Sequence, residues 1–396
     1  MKTINYLPII LGLTLLATGC KLKNNATQNT SQKENTTLLT TRYQQMLNYP
    51  VDSLSMPRSM SLTTGKIKKV PSKDWCSGFF PGNLWQIYEL TGNPKFKEKA
   101  KQWTAFIEQE KFNDRTHDMG FKVFCSFGNG LKHENNPHYK DVIVKSAETL
   151  STRFNSKVGA IRSWDFNKDI WDFPVIIDNM LNLELLFEAS KISGDNKYRD
   201  IAIQHANTTL KNHFRPDASC YHVVSYDTIS GQAKIKMTHQ GYNDESSWAR
   251  GQGWAIYGYT MCYRYTQDKA YLKQAEATAN YFINNKNMPA DGIPYWDFKD
   301  PKIPNAPRDA SAASLVASGL YELYGYTKNE IYLNYANKVM ASLSSKSYML
   351  DKTVKGPFIL DHSTGNKPKE DEIDEPIVYA DYYYLEALVR KSKTNN

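Results

Sequence analysis

The chain has 396 residues, with 49 Lys and Arg against 41 Asp and Glu, a net charge of +8 and 13% aromatic residues, 26 of them tyrosines. Its composition excludes several function classes: there is no basic run interleaved with aromatics to argue for nucleic acid, and Cys76, Cys125, Cys220 and Cys262 follow no CxxC or metal-like spacing. A mild positive balance rich in aromatics suits an anionic carbohydrate as well as it suits simple solubility.

The first twenty residues, MKTINYLPIILGLTLLATGC, place a basic Lys2 before an apolar stretch from Leu7 to Leu16 and small residues before Cys20. That order reads as a cleaved export signal and not as a membrane span. LATGC resembles a lipoprotein processing site, with Cys20 as the lipidated first residue of the mature chain; an ordinary secretory signal with an incidental cysteine is the alternative. Residues 21–38, KLKNNATQNTSQKENTTL, are polar and low in complexity, as expected of a flexible tether. No Pro/Gly-rich break divides residues 39–396, which are read as one domain.

Along that domain one pattern recurs: IYELTGNPKFKEKAKQW, the weaker NNPHYKDVIVKSAETL, LFEASKISGDNKYRDIAIQHA, YRYTQDKAYLKQAEATANYF and LYGYTKNEIYLNYANKVM. In each a helix ends, a short turn follows, and an aromatic (Phe96, Tyr139, Tyr198, Tyr271 or Tyr332) opens the next helix. The five hairpins are unequally spaced, unlike an open solenoid of uniform repeats, and with a final helix near VYADYYYLEALVR they predict a closed all-α ring of about six pairs, an (α/α)6 barrel. Inner helices of such a ring are buried all round and should look more apolar than amphipathic.

PVIIDNMLNLELLFEA fits an inner helix with Pro174 in its first turn, which puts Asp178, Leu181, Asn182 and Leu185 on one face. A carboxylate among Val175, Ile176, Ile177, Met180 and Leu181 is costly unless paired or used. A second acid, Asp118, stands in RTHDMGF beside His117, where a helix N-cap is the plain reading. Two carboxylates brought close push one toward its protonated form, which is how an enzyme keeps an acid at neutral pH. THQGYNDESSWARGQGWAIYGY gathers His239, Gln240, Trp248, Arg250 and Trp254: a planar fork for a carboxylate and flat faces for a sugar, although both tryptophans suit a core equally well. Gly251-Gln252-Gly253 lacks the third glycine of a dinucleotide fingerprint; P-loop, GxSxG and HExxH motifs are absent, and His133 and His138 read as surface residues.

WCSGFFPGNLWQIYELTGN, HDMGF, GAIRSWDF, FPVIIDNMLNLELLFEA, SSWARGQGWAIYGY and PRDASAAS resemble, in order, the motif series of glycoside hydrolase family 88, the unsaturated glucuronyl hydrolases. The resemblance covers about residue 40 to the end. It implies the same (α/α)6 barrel and a cofactor-free hydration of the 4,5-unsaturated uronic acid that polysaccharide lyases leave at the non-reducing end of anionic oligosaccharides. By that resemblance Asp178 is the general acid and then base, and Asp118 the second essential acid. Trp75, His117, Trp164, His222, Gln240, Arg250 and Trp254 surround the sugar, Arg250 facing the uronate carboxylate and the three tryptophans offering stacking surfaces. Cys76 stands where threonine is frequent and Phe80 where tryptophan is frequent, both beside Trp75, which bears on substrate preference. Two other readings are an unsaturated rhamnogalacturonyl hydrolase and a non-catalytic, lipid-anchored glycan-binding protein. Glycosaminoglycan and ulvan fragments both fit as substrates, with a lean to ulvan, and the expected location is a bacterial membrane, facing the periplasm through the anchor alone.

Overall fold

The structure, a computed structural model, describes residues 34–394. The segment read as an export signal, with Cys20, and most of the segment read as a tether lie outside the described residues. Helix α1 spans 34–48, so the last five residues assigned to the tether are helical.

The chain then alternates between an inner and an outer ring of helices. The inner ring is α2 (Phe79–Thr91), α4 (a π-helical Gly120–Gly128 continued by Asn129–His133), α6 (Leu183–Ser193), α8 (Ala249–Thr266), α10 (Ala310–Thr327) and α12 (Val378–Thr394). The outer ring is α1 with α3 (Pro94–Ala105), α5 (Pro137–Ser151), α7 (Asn196–Asn212), α9 (Lys269–Ile283) and α11 (Glu330–Leu343). Each inner helix packs on the next, and α12 closes against α2, completing the (α/α)6 barrel. Every residue of α8 from Ala249 to Cys262 is buried, whereas α3 buries only Phe96, Ala100, Trp103 and Thr104. That contrast matches the division into all-round apolar inner helices and one-faced outer ones.

The recurring turn has a local cause. Gly92, Gly194, Gln267 and Lys328 end their helices in the left-handed conformation, and each N–H bonds to the carbonyl four residues back. Asn93, Asp195, Asp268 and Asn329 follow, extended, and each side chain accepts the amide two residues on. The aromatic anchor falls three residues after the cap and is buried, as Phe96, Tyr198, Tyr271 and Tyr332 all are. At the weaker copy Asn136 caps in the same way, but the residue ending the inner helix, Glu134, is extended. Lys328 holds φ 54 without glycine's freedom, so Lys328→Gly is expected to raise stability by ~1 kcal/mol, read as the urea midpoint at unchanged slope.

Short turns join inner to outer helices, and long connections lead back into the inner ring. All the strands lie in those long connections: β1 (Met56–Met60) with β2 (Ile67–Val70), β3 (Phe154–Asn155) with β4 (Ala160–Ile161), β5 (Pro174–Ile176) with β6 (Val223–Tyr226) and β7 (Ala233–Met237), and β8 (Ser363–Asn366) with β9 (Asp371–Glu375), every pair antiparallel. They gather where the inner helices begin, and they position the site.

One expectation is corrected here. Pro174 does not open a helix: Pro174–Ile176 is β5, Ile177–Asn182 is a 3₁₀ turn, and the α-helix starts only at Leu183. β5 spends its backbone groups on β6, pairing Pro174 with Ser225 and Ile176 with Val223. A run buried on every side has no period by which strand and helix differ.

Candidate active site

Asp178 sits in the first turn of the 3₁₀ segment, directly after Ile177, whose N–H bonds to the His222 carbonyl at 3.0 Å. Its carboxyl is buried, and Oδ2 has no hydrogen-bond partner. Burial, reinforced by the charge of Asp118, pushes its pKa up to about 7 against the opposing pull of Arg250. Because 3₁₀ residues eclipse every third position, Asn182 does not share the face of Asp178. Instead its Oδ1 accepts the Phe121 N–H at 3.0 Å. Gly120 presses on the same residue: a Cβ there would lie 2.6 Å from Asn182 Cα. The two acid-bearing segments are thus clasped backbone to backbone.

Asp118 is not a helix cap. Its Oδ2 accepts the Thr116 hydroxyl at 2.8 Å, and only its carbonyl serves the following turn, taking the Lys122 N–H at 3.1 Å. His117 is buried against it, Nε2 3.3 Å from Asp118 Oδ1, and burial holds its pKa below the usual value although Asp118 raises it. His117 is therefore neutral at pH 7.

His222, the residue just before β6, faces Asp178 with Nε2 3.6 Å from Oδ2. Its Nδ1 accepts the backbone N–H groups of His239 at 3.1 Å and Gln240 at 3.2 Å. An accepting Nδ1 fixes the tautomer, so the ring proton is on Nε2, directed at the acid. Burial, first of all, keeps His222 well below its usual pKa. Gln240 itself is half-buried, its amide donating to the Gly365 carbonyl at 3.4 Å.

Arg250 departs from the expected carboxylate fork. It is fully buried; Nη1 donates to Asp309 Oδ2 at 2.8 Å and to the Thr364 carbonyl at 2.7 Å, and Nη2 to the Gly365 carbonyl at 2.6 Å. Nε alone is without a partner. Asp309 also caps α10 through the Ser311 and Ala312 amides. Its part was readable only as far as the PRDAS spacing of a capping residue. Trp254 is corrected as well: it offers no stacking face, being wholly buried against Phe121 and Tyr383. Its indole N–H, which makes no hydrogen bond at ordinary distance, lies near enough to favour the Asp178 carboxylate. Trp75 and Trp164 are half-buried. Trp75 packs on Tyr379 at 4.9 Å and lies beneath Arg58, a cation that the sequence reading missed. Phe80 turns away from Trp75 to pack on Trp103, so its departure from the family pattern falls on packing and not on the sugar. Among the described residues no cluster of three or more His, Cys, Asp or Glu side chains is placed to hold a metal ion.

The family model of glycosyl hydrolase family 88 matches residues 52–265. The chain belongs to glycosyl hydrolase family 88. It is 61% identical over 396 residues to an unsaturated glucuronyl hydrolase of Formosa agariphila, covering 99% of this chain and 98% of that one. It is 33% identical to an unsaturated chondroitin disaccharide hydrolase of Streptococcus agalactiae serotype III, covering 82% of each. Among solved structures it resembles an unsaturated glucuronyl hydrolase specific for heparin, with a TM-score of 0.88 and 43% identity over 92% of this chain and 97% of that one. The chain is therefore an enzyme, a glycoside hydrolase, on an (α/α)6 barrel.

Proposed function

We propose that the enzyme removes the 4,5-unsaturated uronic acid from the non-reducing end of lyase-generated anionic oligosaccharides, and that Asp178 is the residue that moves the proton. One observation carries this reading: a carboxyl with an unpartnered Oδ2, buried and holding its proton to about pH 7, set between His222 and the segment of Asp118. The double bond of such a uronate joins the ring oxygen as a vinyl ether. A proton from Asp178 to carbon 4 leaves positive charge shared by carbon 5 and the ring oxygen. The Asp178 carboxylate so formed takes a proton from water as the water oxygen bonds to carbon 5. The hemiketal then opens, and the neighbouring sugar leaves with a proton. The anomeric carbon is never attacked, so the rule linking carboxylate separation to stereochemistry does not apply.

In this scheme burial keeps Asp178 protonated and the charge of Asp118 adds to that, while Asp118, with the buried His117, lines the reacting ring. The Nε2–H of His222 is directed at Asp178 from 3.6 Å, and Gln240 reaches the sugar from the segment that follows β7. Trp75 and Trp164 supply the stacking faces. Arg250, with its fork already occupied, contributes a positive field toward the uronate; Trp254 acts through its N–H. Glycosaminoglycan and ulvan fragments are both candidate substrates, and we favour ulvan. The signal-like start of the chain supports lipid attachment at Cys20 and a periplasm-facing location.

A panel of lyase-made oligosaccharides, sulfated and unsulfated, tests the reading through ultraviolet absorbance of the conjugated double bond, which hydration destroys. Unchanged spectra with intact binding would instead favour a glycan-binding protein, and turnover confined to rhamnogalacturonan fragments the sister activity. Because Asp178 must be protonated to act, kcat/KM is expected to fall as pH rises through about 7. Removing the Asp118 charge takes away a contribution that raises this value, so Asp118→Asn should move the alkaline limb to lower pH, on top of any loss of rate. An unmoved limb would separate the two acids electrostatically.

A further inference from the structure

Three aromatic rings, those of His222, Trp164 and Phe166, run from the acid toward solvent. His222 stands 3.6 Å from Asp178, and its ring meets Trp164 nearly perpendicular, centroids 5.7 Å apart. Phe166 stacks on Trp164 at 5.0 Å and 27°, and also touches Trp171 at 5.7 Å and His239 at 5.8 Å. Phe166 is 45% exposed, and Ile170 on the same loop is 44% exposed.

The loop is held in place. Buried Arg153 donates to Asp165 Oδ2 at 2.8 Å, to the Arg162 carbonyl at 2.9 Å, and to the Asp114 carbonyl at 2.7 Å, four residues before Asp118. Asn167, left-handed at φ 50, turns its carbonyl to accept the N–H groups of Ile170 and Trp171 at 3.0 Å each. An exposed Phe on a mobile loop would need no explanation. One fixed at the end of a ring series that begins at the acid presents a flat apolar face in a defined place, continuous with the site.

We infer that Phe166, with Ile170 beside it, forms an outer subsite that stacks a sugar beyond the one linked to the uronate, so that the enzyme prefers oligosaccharides of three or more residues over disaccharides. This rests on the hydrolase reading above. A pyranose presents a face of C–H groups that an aromatic ring covers well, and Phe166, lying against Trp164, sits farther from the acid than Trp164 does. A disaccharide ends before it reaches Phe166.

The test compares KM for an unsaturated disaccharide and for the tetrasaccharide of the same polymer, in the wild type, Phe166→Ala and Phe166→Trp. Loss of one stacking contact is expected to raise KM for the tetrasaccharide about five- to tenfold in Phe166→Ala, with a much smaller effect on the disaccharide and kcat little altered. Phe166→Trp should restore the preference, which a merely structural side chain would not do. Equal effects on both substrates, or a lower KM for both because Phe166 shields Trp164, would overturn the subsite. A wild type that turns over neither substrate would overturn the hydrolase reading instead.

Discussion

Asp178→Asn is expected to lower kcat by about 10³-fold or more while making the protein more stable at neutral and alkaline pH. The amide has the carboxyl's shape but no proton to give to carbon 4. The stability gain follows from linkage. The folded pKa of Asp178, about 7, is above its ordinary value of 3.8. The native state therefore holds a proton that the unfolded chain has already lost, and the stability this confers is complete below about pH 4 and lost as pH rises through about 7. Ionising the buried group costs at most ~4 kcal/mol above that range, and the Asn variant is spared this cost. Urea midpoints at pH 5 and pH 9 check the sign: the wild type should lose more stability than the variant between them. A variant with near-normal rate would remove the acid assignment, and one less stable at pH 9 than the wild type would remove the explanation by burial.

Arg250→Ala should be felt first in the fold. Arg250 and Asp309 are both wholly buried and paired at 2.8 Å. Truncating one leaves the other charged and without its partner, at a cost of roughly 3–5 kcal/mol. The Thr364 carbonyl of β8 loses its guanidinium donor at the same time, and the Gly365 carbonyl is left with the Gln240 amide at 3.4 Å. The melting temperature is expected to fall sharply, and Asp309→Asn in the same chain should recover part of it, since the orphaned carboxylate is then gone. In whatever fraction remains folded, Asp178 has lost the cation that opposed its raised pKa, so the alkaline limb of kcat/KM should move upward. A variant of normal stability with only a raised KM would restore the simple picture of Arg250 as a fork for the uronate.

The same contrast shows where the sequence alone was enough. Asn93, Asp195, Asp268 and Asn329 each bond an amide two residues away, with the aromatic one residue further on. Such a motif is complete within a few residues, so its repetition was visible in the chain and led to the ring of hairpins. The motif series around Asp118 and Asp178 was visible too, and with it the family and the chemistry.

What only the tertiary structure decided is how each side chain is spent. Arg250 is bonded to Asp309, 59 residues away, and to Thr364, 114 away. Asn182 serves Phe121, 61 residues distant. Trp254 is sealed behind Phe121 and Tyr383. Pro174 opens a strand because Ser225 lies opposite it. No local period or spacing encodes partners that far apart. A guanidinium, an amide and an indole look the same in sequence whether they face a sugar or one another, and only closing the ring decided which of them are spent on one another.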